Sequence, residues 1–210
     1  ALGTPKIVKL MAARGHTIAT HTWRHPKDVS KLPLEEAKLE IEKGFVAVSQ
    51  ALEEPVAPFF RYPGLNRSDE LDAYLASREI SVWSVDIVSN DTAPGMTPDL
   101  LVNNTMNRLR KMGRGIVLFH DLKLVTAESL DSFLTQLRME GFKVVHVVSN
   151  SAYRPNAMVA RLDLSKHTNE QFDYKALEGG DVAGDIDVMK TDVVHIETSA
   201  SVQEPRKPEP

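Results

Sequence analysis

The sequence predicts an α/β domain with a mainly parallel sheet or barrel, and three observations carry that reading. Short β-type segments alternate along the chain with helical ones, which is the signature of strands joined by crossover helices. The segment GIVLFHD (115–121) begins as an unbroken apolar run, as a strand covered on both faces does. The length of 210 residues, 42% of them hydrophobic, suits one domain of ordinary size with an appendage and a core.

Each element has its own local signal. Thr4 as N-cap, Pro5 at the first helical position and Gly15 as stop predict a helix over about 4–14. A short strand is expected near 16–20, then a loop from His21 to Pro33. LEEAKLEIEKGFVAVSQAL repeats apolar residues at helical spacing and predicts a long helix over about 33–52. APFFRY gives a strand near 57–62, and Ser68 caps a helix over about 69–77. ISVWSVDIV (80–88) reads as one strand. Thr97-Pro98 opens a helix to about 112, GIVLFHD follows, and a helix over about 126–140 leads to a last strand, FKVVHVV (142–148). About five strands result, few for a closed barrel.

The character changes after residue 152. Residues 153–210 carry 7 basic and 11 acidic side chains, whereas the first 152 carry 18 of each. We therefore expect a domain over 1–152 and a polar, largely irregular extension over 153–210, with one short strand at VVHIE (193–197). The end, VQEPRKPEP, reads as disordered. GGDVAGDIDV (179–188) has the wrong acid spacing for a calcium loop. The net charge of −4 gives no reason to propose nucleic acid or an acidic membrane as partner. No run approaches the roughly 20 apolar residues of a transmembrane helix. With no cysteine, any metal site must use His, Asp, Glu or water.

Four stretches at strand ends carry candidate chemistry. In HTIATHTWRHP (16–26), His21 and His25 stand four apart, so a helical turn would bring both imidazoles to one face for a metal. Two surface histidines on a polar loop would give the same spacing. Arg61 ends an apolar strand before a Pro-Gly turn, where it either orients a carboxylate or snorkels to the surface. Asp86 and Asp91 flank the end of VDIVSND, as imidazole partners or as turn caps. His120 and Asp121 directly follow a buried strand, where His120 is a general-acid candidate or a satisfied core histidine.

Taken in chain order, GHTIATHTWRHP, FFRYPG, DIVSND and IVLFHD resemble the second to fifth motifs of the polysaccharide deacetylases, the NodB-homology enzymes of carbohydrate esterase family four. The resemblance spans about residues 3–150, including LPLEEAKLEIEKGF and YLASREISVWSVD. It implies a distorted (β/α) barrel. It implies that His21 and His25 bind the metal and that Arg61 orients a catalytic-base aspartate. Tyr62-Pro63-Gly64 replaces a commoner Pro-Pro-Tyr, which puts the oxyanion N–H at about Gly64. Asp91 matches the aspartate that tunes the general-acid histidine, His120, and Leu118 matches a residue lining the acetyl pocket. Thr92 stands where a tryptophan is frequent. Arg24 is unusual inside the metal motif and is a candidate to reach substrate.

The family's first motif, Thr-Phe-Asp-Asp, supplies the base and the third metal ligand and is not found in residues 1–210. The resemblance thus implies a barrel incomplete at its N-terminus: the expectation is that those aspartates lie upstream of Ala1 in a longer product, the alternatives being that another polypeptide supplies them or that they have been lost. Asp28 and Asp121 are the nearby acids, and neither matches the ligand position. The function implied is metal-dependent deacetylation of N-acetylated sugars in a chitin-like or peptidoglycan polymer or oligomer, with zinc as the default ion. The alternatives are an inactive carbohydrate- or metal-binding remnant, or O-deacetylation of a polysaccharide. By the same resemblance the location is the cell envelope, the periplasm or outside the cell.

Overall fold

Two compact units share the chain, Ala1–Ser84 with His146–Met189 and Val85–Val145 with Lys190–Pro210. The computed structural model describes residues 3–164 and 193–198. GGDVAGDIDV (179–188) and the terminal VQEPRKPEP lie outside the described residues.

In the first unit the elements are α1 (Pro5–Ala13), α2 (Leu34–Leu52), β1 (Phe59–Phe60), α3 (Asp69–Ser77) and β2 (Ser81–Val82). Pro5 opens α1 as expected, but Thr4 makes no side-chain cap bond. The apolar stripe Ala37, Ile41, Phe45 and Leu52 of α2 is buried with Val29, Leu71 and Leu75. Burying one such large apolar side chain is worth roughly 1.5–3 kcal/mol. The strand expected near 16–20 is reduced to a single parallel bridge, Thr20 to Phe60. β1 and β2 pair in parallel.

Packing continues past the change in composition at residue 152. The Tyr153 ring is buried and stacks on Phe45 at 4.2 Å. Its hydroxyl donates to Glu42, a fully buried carboxylate that also accepts from Tyr74 at 2.7 Å and Arg78 Nε at 2.9 Å. A buried carboxylate is tolerated when its lone pairs are filled in this way. Val159 and Leu164 then bury themselves against Val46 and Ala47 on α2.

The second unit holds β3 (Ile87–Val88), α4 (Pro98–Met112), β4 (Arg114–Leu118), α5 (Leu124–Met139), β5 (Phe142–Val145) and β6 (Val193–Thr198). Its sheet runs β3-β4-β6-β5. β3 and β4 are parallel, while β6 is antiparallel to both β4 and β5. The VVHIE strand therefore exists, and it makes this sheet mixed rather than mainly parallel. Leu101, Met106, Leu109, Val117, Phe133 and Leu137 form the core.

ISVWSVDIV is not one strand but two, β2 and β3, one in each unit. Trp83 N still donates to Phe60 O at 2.8 Å, and from there on the Trp83 and Ser84 carbonyls accept from the Arg61 guanidinium.

Candidate active site

Both groups of candidate residues sit where parallel strands end, for the same reason in each unit. In the first unit Thr20 bridges Phe60, with Thr20 N donating to Phe59 O and Arg61 N to Thr20 O. The next residue on each strand is His21 and Arg61, so the two become neighbours. His21 Nδ1 donates to the Arg61 carbonyl at 2.6 Å. A carbonyl only accepts, so Nδ1 carries a proton, and in the neutral ring the lone pair is then on Nε2, the form a metal ligand needs.

His21 and His25 come together, with ring centroids 4.8 Å apart and planes inclined at 67°. The expected helical turn is absent. Thr22 and His25 instead take left-handed backbone conformations, φ 70° and 53°. Such conformations cost roughly 1–3 kcal/mol each in non-glycine residues. Pro26 raises the cost at His25, because a following proline favours extended backbone.

Helix α2 holds this loop. Glu40 is buried, and its carboxylate accepts from Arg24 N at 3.0 Å and Arg24 Nε at 2.7 Å. Its main-chain carbonyl accepts from Trp23 N at 3.0 Å. One turn on, Gly44 permits the approach itself. A Cβ there would lie 2.6 Å from Thr20 Oγ1 and 2.8 Å from the Thr22 carbonyl carbon. Neither Glu40 nor Gly44 was singled out from the sequence. On α2 they read as one more helical charge and one more helical glycine.

Arg61 is buried, and burial pushes its guanidinium down to about 10, still cationic at neutral pH. Its guanidinium bonds go to the Trp83 and Ser84 carbonyls at 3.2 and 3.4 Å. Among the described residues no carboxylate forms an ion pair with it. The Tyr62 ring is buried and packs edge-on against Phe60, and its hydroxyl donates to Asp72 at 2.8 Å. Gly64 is exposed in the short turn Pro63–Leu65, at φ 62°.

In the second unit β3 and β4 pair Val88 with Leu118, and Ser89 N donates to Leu118 O. Asp91 and His120 follow within a few residues and meet. The buried Asp91 carboxylate accepts from His120 Nδ1 at 2.8 Å through Oδ1. Its Oδ2 accepts from the His120 backbone N–H and from Thr126 Oγ1 at 2.7 Å. Burial pushes the Asp91 carboxyl up, but the bonds from His120 and Thr126 outweigh it and leave the group below its ordinary range. Thr126, at the start of α5, is a partner that the linear sequence did not point to. Leu118 is buried at the end of β4. Asp86 does not join this group. Its carboxylate accepts from Ile116 N at 2.7 Å and secures the start of β4.

The donor chemistry of His21 and His25 fits two positions of a zinc-type site. Among the described residues no third His, Asp or Glu gathers with them into a metal-holding group.

Comparison with known proteins agrees with this arrangement. A family model described as polysaccharide deacetylase matches residues 2–83. The peptidoglycan-N-acetylglucosamine deacetylase of Listeria monocytogenes is 30% identical over 149 residues, covering 68% of this chain and 29% of the relative. The chain thus spans under a third of that curated relative. A solved Bdellovibrio bacteriovorus peptidoglycan deacetylase is 31% identical with a TM-score of 0.64, covering 70% of this chain and 41% of the other. A family-four pseudoenzyme from Bacillus anthracis shares the fold at 21% identity and a TM-score of 0.57, covering 66% of this chain and 47% of its own. Motifs, strand-end geometry and these matches together mean that the chain belongs to the polysaccharide deacetylases of carbohydrate esterase family four, with the open α/β sheet fold of that family.

Proposed function

We propose that this chain carries the metal-binding histidine pair and the general-acid dyad of a deacetylase acting on N-acetylated sugars, and that the 210 residues on their own bind without turning over. The observation that carries the second half is the donor count. Two imidazoles gather with no third ligand among the described residues, and Arg61 is a buried cation with no carboxylate beside it. A deacetylase needs a carboxylate at that place, as base and as ligand.

Each residue has a task in this reading. His21 and His25 would hold a divalent ion, zinc by donor type, which supplies an acidic bound water and a polarised acyl oxygen when present. Gly64 offers a backbone N–H to the developing oxyanion. The Tyr62 side chain is committed to Asp72 and acts by positioning the turn. Leu118 lines the acetyl pocket. Asp91 holds the Nδ1–H of His120 and stabilises its imidazolium form, whose Nε2–H is the proton handed to the leaving amine. The products are acetate and a free amine on the sugar. The Listeria and Bdellovibrio relatives are peptidoglycan deacetylases, which makes peptidoglycan glycan the first candidate substrate and the cell envelope the place of action. Among the described residues no helix is long and apolar enough to cross a membrane.

The test is metal content and acetate release on the purified chain, given zinc and acetylated glucosamine oligomers. Bound zinc without acetate supports the reading. Bound zinc with acetate means a carboxylate of this chain serves as base, and the binding-only half fails. No zinc removes the histidine pair from its role. Acetate from O-acetylated xylan alone would reassign the leaving group to an alcohol.

A further inference from the structure

The histidine loop has a feature its ligand role does not explain. Two of the five residues from His21 to His25 are left-handed, and a proline follows. A loop in that state relaxes unless neighbours over-determine it. Three hydrogen bonds that hold it come from one helical residue. Glu40 engages both Trp23 and Arg24, the residues midway between the imidazoles, through its main-chain carbonyl and both carboxylate oxygens. With both oxygens turned to Arg24, Glu40 is not placed as a ligand itself. Gly44, one turn away, brings α2 against the Thr22 backbone, so the loop is pinned at its start and its middle.

We propose that Glu40 is a positioning residue for metal binding, presetting the two imidazoles so that a divalent cation does not have to order them. Arg24 is then the other half of the clamp, which accounts for an arginine inside the motif without assigning it to substrate. This rests on the reading of His21 and His25 as metal ligands. Groups that orient metal ligands typically change affinity 10- to 100-fold when removed.

The experiment is titration of the full chain with Co2+ and with Zn2+, followed by cobalt absorption and calorimetry. Thermal unfolding is recorded on each variant. Glu40→Ala is expected to weaken both ions about 10-fold or more. Glu40→Gln, which keeps one acceptor for the Arg24 backbone N–H, should recover part of that loss. Tyr153→Phe removes a hydroxyl donor from Glu42 in the same helix and serves as the control for stability alone. It should lower the melting temperature and leave metal affinity unchanged. Equal losses in Glu40→Ala and Tyr153→Phe would mean general loosening and would overturn the proposal. So would unchanged affinity in Glu40→Ala while His21→Ala abolishes binding, with the ligand reading left standing. Absence of binding in the wild-type chain, or binding that survives both His21→Ala and His25→Ala, would overturn the proposal and the ligand reading together.

Discussion

The histidine loop of the first unit and the His120–Asp91 dyad of the second solve the same placement problem in opposite ways. The dyad needs little beyond strand pairing. β3 and β4 are in parallel register, their ends coincide, and Asp91 meets His120 with its carboxylate filled by local donors. The loop follows a short stretch tied by backbone bonds between Ile18 and Ala57, Thr20 and Phe59, and Arg61 and Thr20, adopts costly backbone, and relies on side-chain and main-chain contacts from the next helix, α2. A site built on a ladder is stabilised by its own chemistry. A site built on a strained loop stores energy that its scaffold must hold.

The contrast makes ordered predictions about stability. Asp91→Ala should have the largest effect, because it strands the Thr126 hydroxyl and the His120 donors around a cavity. A loss of about 2–4 kcal/mol in denaturant unfolding is expected. A change below about 1 kcal/mol would show that the dyad is not a stabilising feature. Gly44→Ala comes next. The added methyl meets backbone at Thr22, which a rotamer change cannot relieve, so overpacking of about 1–3 kcal/mol should exceed the roughly 1 kcal/mol gain in helix propensity. A net gain in stability would mean that α2 and the loop part easily. Thr126→Val removes one donor from Asp91 and should cost about 1 kcal/mol.

His25→Gly should show the smallest effect and the most telling sign. Removing a left-handed, non-glycine residue relieves strain, so stability should stay within about 0.5 kcal/mol of wild type while zinc binding is lost. A cost above about 1 kcal/mol would mean that the imidazole holds the loop together, as His120 does its dyad.

Acid titration separates the regions further. The Asp91 carboxyl lies below its ordinary value of 3.8 in the folded chain. Its stabilisation is therefore fully present above that value and is lost as pH falls through the depressed folded pKa. Asp91→Asn should flatten the pH dependence of stability below about pH 4. An unchanged slope would place the acid sensitivity elsewhere.

Much of this molecule was legible in one dimension. The five α-helices among the described residues follow from caps, proline positions and apolar spacing, because those signals are local. Motif order led to the family, and the strand ends that carry His21, Arg61, Asp91 and His120 follow from apolar runs stopped by turn residues. The backbone of the histidine loop was not legible. Spacing suggested a helical turn, whereas Thr22 and His25 take left-handed conformations that only contact with α2 makes tenable. The split of ISVWSVDIV was hidden for a similar reason, since β2 and β3 pair with different strands, β1 and β4, that lie far from each other along the chain. So the sequence by itself determined which chemical groups this protein presents and at which strand ends they emerge, because periodicity and capping act between near neighbours. Tertiary structure alone decided how two of those groups are aimed, because Glu40, Gly44 and Thr126 act across the fold on residues far from them along the chain.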